Sequence, residues 1–296
     1  MDLALVVNAR KKSSPRVLQE LRASVAGTTH RMLLWASSAQ ELEKRSDCGM
    51  AMRGYEVVDD IHAGDVVLAL GGDGTLLTAV RLLGDDLRPL LGINLGSLGF
   101  LTDTPEDRAA EALARVLGGD YRLDPRMLLE VEHRAPGTNG MRARALNDVV
   151  LHGPSARVVE VGLRAAGVDL GSTLADGMVV ATPSGSTAYS LSAGGPIVSP
   201  RLRALIVTPI SAHTLSMRPL VVGADEEVEI ELRRLSAAHA DISVDGHLCW
   251  PLPAGDSIRV RAAPRDLQLV VTQEQGFYRT LRSKLGWGQG RPAPPP

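Results

Sequence analysis

"DVVLALGGDGTLLTAVRLLG", residues 65–84, sets an apolar run against a helix-period run with three glycines and an acid between them. The run 65–70 is apolar on both faces, as a strand buried within a parallel sheet requires. The segment "TLLTAVRLLG" (75–84) repeats its apolar residues at helical spacing, with Thr75 expected as N-cap and Gly84 as stop. A glycine turn at a strand–helix junction exposes N–H groups that receive anions. Asp73 in its middle is repulsive to phosphate unless a cation or a transferable proton lies between. It therefore either holds Mg²⁺ against phosphates or accepts a proton from an attacking hydroxyl, both of which belong to phosphoryl transfer. The local sequence leaves both roles open, together with a plain capped turn. The loop is neither GxxxxGK[ST] nor GxGxxG.

The same texture extends on both sides. "LALVV" (3–7), "HRMLLW" (30–35) and "RPLLGINLG" (88–96) read as strands, "PRVLQELRASVA" (15–26) and "PEDRAAEALARVLGG" (105–119) as helices. Alternating β and α with apolar strands predicts an α/β domain with a parallel sheet over residues 1–120. After Tyr121 the runs become short, often alternating and separated by turn residues, from "MLLEVEH" to "LQLVV". That predicts a β-rich, sandwich-like domain over 121–272. Residues 273–296 are expected to hold a terminal helix within "RTLRSKLGWGQG" and a disordered "RPAPPP" tail.

The chain has 296 residues and a net charge of −2, which gives no basic footprint for nucleic acid. Its two cysteines, Cys48 and Cys249, lie far apart, so neither a disulfide framework nor a zinc site is expected. No run approaches the roughly 18 apolar residues of a membrane span. A cytoplasmic protein with no membrane partner is expected. Only four lysines occur (Lys11, Lys12, Lys44 and Lys284), and none follows a glycine-rich loop.

"DGMVVATPSGSTAYSLSAGGPIVSP" (176–200) packs hydroxyls and glycines around Tyr189. Small donors at that density suit ribose and phosphate oxygens, and Tyr189 offers a face to a base. In "ALNDVVLH" (145–152), Asn147 and Asp148 interrupt an apolar strand, and such a pair can bind both hydroxyls of one ribose. "ISVDGHLCW" (242–250) carries Asp245-Gly246 between two apolar runs, a two-residue hairpin turn, with His247 just beyond. In "TPISAHTLSMRP" (208–219), His213 and Arg218 either face a ligand or brace a loop.

Taken together, "GGDGT", "LGFLTD" (98–103), "NDVVLH", the long 176–200 segment, "VTPISAHTLSMRP" and the terminal "KLGW" resemble the NAD kinase family. They stand in the family's order over most of the chain. The resemblance implies an α/β domain like those of phosphofructokinases and diacylglycerol kinases, followed by a β-sandwich-like domain, with the active site between them. It implies transfer of a phosphoryl group from ATP or polyphosphate, with a divalent ion such as Mg²⁺, to the adenosine-ribose 2′-hydroxyl of NAD, giving NADP. Asp73 then matches the proton-accepting acid, and Gly74 the glycine beside it. Phe100 lines the dinucleotide pocket, Asn147 and Asp148 bind ribose hydroxyls, and Asp176 lies on the nicotinamide side. Thr187, Ala188, Tyr189, Ser190, Leu191 and Ser192 cradle the dinucleotide, with Arg157 a basic neighbour. The family also implies a homo-oligomer, dimer or tetramer. Leu174 stands where the family often has arginine, Thr78 where it often has a basic residue, and His247 where it often has glutamine. A non-catalytic dinucleotide sensor and a lipid kinase of the same superfamily are the alternatives; no basic amphipathic helix speaks for the second.

Overall fold

The computed structural model describes residues 1–287 apart from Leu98, Asp103, 136–139, 155–157, Leu215, 236–238 and 273–275. The expected Arg157 contact, two residues of "LGFLTD" and the expected disordered tail therefore lie outside the described residues. In chain order the first part runs β1 (Asp2–Val7), α1 (Ser14–Ser24), β2 (Arg31–Trp35), α2 (Ala36–Glu43), β3 (Glu56–Val58), β4 (Val66–Gly71), α3 (Asp73–Leu83), β5 (Leu90–Asn94), β6 (Thr104–Pro105), α4 (Ala109–Leu117) and β7 (Arg122–Arg126). The second runs β8 (Leu129–Arg134), β9 (Arg142–Ala145), β10 (Asp148–His152), β11 (Val159–Ala165), β12 (Val168–Ala175), β13 (Gly177–Ala181), α5 (Tyr189–Ser192), β14 (Ala204–Ile210), β15 (Leu220–Gly223), β16 (Val228–Leu235), β17 (His239–Val244), β18 (His247–Pro253) and β19 (Ser257–Ala262). β20 (Leu267–Val271) and α6 (Phe277–Leu285) close the described chain.

The backbone divides into two units, Met1–Asp124 with Gln268–Pro296, and Pro125–Leu267. In the first, the strand order is β3-β2-β1-β4-β5-β20-β7, with β6 beside β5. Pairings among β1 to β6, and of β20 with β5, are parallel. Consecutive residues, Leu3-Ala4-Leu5, Val67-Leu68-Ala69 and Leu90-Leu91, are wholly buried, as expected for a sheet covered on both faces. The chain moves outward from β1 to β2 and β3, then returns to β1's other side with β4. The order thus reverses between β1 and β4, the point where open α/β sheets bind ligands at their carboxyl edge.

Three expectations need amending. α3 begins at Asp73 with Gly72 as N-cap, so Thr75 lies inside the first turn, while Gly84 at φ +51° does stop the helix. α2 and β3 went unforeseen, being short and weakly patterned. "LQLVV" lies in the parallel sheet, Leu269 opposite Leu90, where the sequence reading placed it in the β-rich domain. Its burial leaves only Gln268 partly open, a pattern that suits either kind of sheet.

The second unit holds two antiparallel six-stranded sheets, β15-β14-β13-β10-β17-β18 and β12-β11-β16-β19-β8-β9. Their inward residues, among them Val131, Val149, Leu163, Val180, Ile230 and Trp250, share one core. Val150, Val179, Ala181 and Ile206 point the other way and pack with Val198. The 182–200 segment thus covers the back of the first of these sheets, which explains strands apolar on both faces. Asp245 (φ +50°) and Gly246 (φ +76°) turn β17 into β18 as the sequence leads one to expect, with both residues left-handed.

Candidate active site

In the first unit, the β4–α3 turn puts Asp73 at the carboxyl edge of the sheet, half-buried. Its carboxylate is held by the loop after β5. Oδ2 accepts the Phe100 N–H at 2.9 Å, and Oδ1 accepts the N–H groups of Leu101 and Thr102 and the Thr102 hydroxyl at 3.0–3.1 Å. Asn94 fastens the same loop. Its Nδ2 donates to the Ser97 carbonyl at 2.7 Å and the Thr102 hydroxyl at 3.2 Å, and its Oδ1 accepts the Gly96 N–H at 2.8 Å. A Cβ on Gly99 would overlap Asp73 Oδ1, and one on Gly71 would overlap the Thr75 hydroxyl, so both positions require glycine. Gly72 and Gly74 instead face open space. The Asp73 and Gly74 N–H groups, first in α3, have no acceptor inside the helix and can meet an anion there.

Beside this turn lies a cleft of about 390 Å³ lined by Asn8, Lys11, Trp35, Gly72, Gly74 and Thr78. Lys11 Nζ reaches over Gly96, and among the described residues no carboxylate pairs with it. The loop that carries it is braced by Arg45, which donates to the Lys11 carbonyl at 2.8 Å and to the Ala9 carbonyl. This cation comes from the β1–α1 connection rather than from the glycine turn. Sequence reasoning sought a lysine after the glycines and passed over "NARKK".

Phe100, next to Asp73's loop contacts, meets the Phe277 ring of α6 with centroids 6.2 Å apart, and Lys284 Nζ stands 4.9 Å over the Phe100 ring. The first unit therefore brings Asp73, Gly74 and Phe100 together and adds Lys11, Phe277 and Lys284.

In the second unit, Asp148 opens β10 at 4 % exposure. Burial, then the neighbouring Asp245 charge, push its carboxyl up to about 7, against the Tyr189 N–H, which favours the charged form. Asp245 is a clamp: its carboxylate accepts the N–H groups of Leu146, Asn147 and Asp148 at 2.7–3.1 Å. Burial raises its own pKa against those three donors and the His247 charge. The Asn147 main-chain carbonyl accepts the Thr182 N–H at 2.8 Å, while its carboxamide makes no hydrogen bond among the described residues. Tyr189 stacks on His152 at 5.8 Å, and burial lowers the His152 pKa.

The hydroxyls of Thr182, Ser186, Thr187 and Ser190 are committed within the protein. Thr182 Oγ1 donates to the Leu146 carbonyl at 2.6 Å and accepts the Gly185 N–H. Ser186 bonds Pro183 and Val198, Thr187 donates to the Ser184 carbonyl, and Ser190 pairs with Thr208 at 2.9 Å. They shape the segment more than they line it. The outward groups are half-buried Thr187, Ala188 and Leu191 and exposed Tyr189 and Ser192. Asp176 sits at the bend between β12 and β13, with its main chain tied to Ile210 and Gly153 and its carboxylate unbonded among the described residues. His213 is exposed, its N–H bonded to the Leu174 carbonyl, and Arg218 reaches only the neighbouring Met217 carbonyl. Among the described residues, no group of three or more His, Cys, Asp or Glu converges as a metal site.

A glycine turn bearing a fixed acid, an open helix N-terminus and a lysine with no carboxylate partner among the described residues, all at the switch point of a parallel sheet, defines a phosphotransferase-type site. The known proteins that resemble the chain narrow this class. Residues 3–121 match the ATP-NAD kinase N-terminal domain and residues 146–272 the ATP-NAD kinase C-terminal domain. The NAD kinase of Geotalea daltonii is 42% identical over 233 residues, 78% of this chain and 82% of that protein. The NAD kinase of Pseudomonas savastanoi pv. phaseolicola is 44% identical over 225 residues, 76% of each. Among solved structures, yeast NADH kinase complexed with NADH superposes with a TM-score of 0.88 at 26% identity, covering 100% of this chain and 90% of that one. The chain belongs to the NAD kinase family.

Proposed function

We infer that this chain phosphorylates the 2′-hydroxyl of the adenosine ribose of NAD, with ATP as donor, to give NADP. The ribose 2′-oxygen attacks the γ-phosphorus, the bond to the β,γ-bridging oxygen breaks, and ADP leaves. The hydroxyl proton passes to Asp73, whose Oδ2 carries a single donor and keeps a lone pair free. The Gly72–Gly74 turn and Lys11 receive the donor phosphates. Mg²⁺, when bound, would neutralise charge on those phosphates. Asp73 is the carboxylate at the glycine turn that could face such a cation, which typically takes one or two carboxylates, phosphates and water. Asn147 and Asp148 bind ribose hydroxyls, Asp176 faces the nicotinamide side, and the Thr187–Ser192 run with His247 borders the dinucleotide.

The observation that carries this reading is the anchoring of Asp73: four donors fix an acid beside open backbone N–H groups. The test is direct. Purified protein is incubated with Mg²⁺-ATP and NAD, and NADP is followed with an NADP-specific dehydrogenase, with NADH and polyphosphate in parallel. NADP formed with turnover is expected. NAD bound without turnover would instead indicate a sensor, and neither binding nor turnover would reopen the lipid-kinase alternative. The likeness to a yeast protein named for NADH makes NADH the second acceptor to measure.

A further inference from the structure

β5 carries two residues that a buried apolar strand disfavours, Gly92 and Asn94, two positions apart and therefore on one face. Thr102, wholly buried, lies against that face. A Cβ at Gly92 would come within 2.9 Å of the Thr102 Cγ2 methyl and 3.1 Å of its Cα, so the loop after β5 packs on bare backbone there. A β-branched side chain is stiff about its first torsion. With the methyl seated over Gly92, the hydroxyl is turned towards Asp73, 3.0 Å from Oδ1.

Asn94 fixes the direction of that hydrogen bond. Its Oδ1 accepts the Gly96 N–H at 2.8 Å, a main-chain donor, which settles which end of the carboxamide is oxygen. Nδ2 then has two protons to place. One goes to the Ser97 carbonyl at 2.7 Å, and the other is shared by the Thr102 hydroxyl oxygen at 3.2 Å and the Thr102 carbonyl at 3.4 Å. The hydroxyl accepts from Asn94, so its single proton is left for Asp73. Oδ1 thus holds three donors, against one on Oδ2.

Building on the kinase reading, we propose that Thr102 is a positioning residue for phosphoryl transfer: its hydroxyl, aimed by Asn94, occupies Oδ1 and leaves Oδ2 as the oxygen that takes the substrate's proton. In that step the ribose O–H bond breaks as the 2′-oxygen bonds the γ-phosphorus. The proton ends on Oδ2, and ADP departs with the electron pair of the bond to the bridging oxygen. Wholly buried, Thr102 acts through Asp73 alone.

Steady-state kinetics of Thr102 variants, each checked for folding by urea unfolding, test this. Thr102→Val keeps the branched shape and removes the donor. It is expected to lower kcat at least about tenfold, within the roughly hundredfold that misplacing a reacting group by about 1 Å costs. KM for NAD and for ATP is expected to stay within about twofold, because the lost interaction serves the transition state. Thr102→Ser keeps the hydroxyl and is expected to recover most of the loss in kcat. A kcat for Thr102→Val close to wild type, a loss carried by KM, or a Thr102→Ser as slow as Thr102→Val would overturn the proposal. Should Thr102→Val fail to fold, Thr102→Ala, which puts no extra group beside the carboxylate, is read by the same criteria. If the wild type makes no NADP, the kinase reading fails and this proposal with it. NADP formation by the wild type that Thr102→Val leaves undiminished defeats the positioning role alone.

Discussion

Asp148 and Asp245 hold each other's main chains: the Asp245 N–H donates to the Asp148 carbonyl at 2.9 Å, and the Asp245 carboxylate accepts the Asp148 N–H at 3.1 Å. The pairing draws the hairpin turn onto the start of β10 and leaves the Asp148 carboxylate buried beside a second acid. Stability is expected to depend on pH through that arrangement, and so is NAD affinity if Asp148 binds the ribose as proposed.

A carboxyl raised in the folded state from an ordinary 3.8 to about 7 stabilises the fold most at low pH, and that contribution is lost as pH rises towards 7. Asp148→Asn removes the ionisation. The variant is expected to be more stable than the wild type by a margin that grows by about 3 kcal/mol between pH 5 and pH 8, read by urea unfolding. The wild type's affinity for NAD is expected to rise over pH 6–8 as the carboxylate forms to accept ribose hydroxyls. Asp148→Asn is expected to show weak binding that is flat with pH.

Asp245→Ala strands three N–H donors at residues 146–148. A loss of about 3 kcal/mol in stability is expected, because buried unpaired donors cost roughly 1–3 kcal/mol each and some will find water. A stability within 0.5 kcal/mol of wild type, about the scatter of ordinary surface substitutions, would show that the clamp contributes little.

Asp73→Asn is expected to lower kcat at least about a hundredfold with little change in NAD affinity, the low end for general-base catalysis. Gly99→Ala reaches the same carboxylate from outside, since its methyl displaces Oδ1. It is expected to lower kcat strongly while Asp73 remains chemically intact. Near-full turnover in both variants would leave the acid a structural part of the turn.

Phe277→Ala removes the ring that α6 places against Phe100. Aromatic pairs contribute about 0.5–1.5 kcal/mol beyond burial. A severalfold rise in KM for NAD is expected, with a smaller change in kcat, because Phe100 shifts while Asp73 keeps its contacts with Leu101 and Thr102. The opposite split would place the effect of α6 on the acid rather than on the pocket.

The glycine turn, its flanking strand and helix, and the change of texture near residue 121 were legible because each rests on local periodicity. The Asp245-Gly246 turn was legible for a similar reason, since two left-handed residues need those side chains. Lys11 and Trp35 were not, because strand order rather than spacing places them at one cleft. Composition makes the hydroxyls of 182–190 look like ligand donors, because it counts such groups, but only the fold reveals that Ser186 and Ser190 already have partners.

The return of β20 to the first sheet has a consequence for the order in which the protein matures. The second unit is one continuous stretch, 125–267, and all its strands precede β20 in the order of synthesis. The half that holds Asp73 is interrupted by that whole stretch, and β5 gains its β20 neighbour only afterwards. On the ribosome, the half begun first is therefore completed last. A chain that ends after residue 267 and lacks β20 would carry every strand of the sandwich but a parallel sheet in which β5 has no β20 neighbour, the kind of edge that invites pairing with another chain.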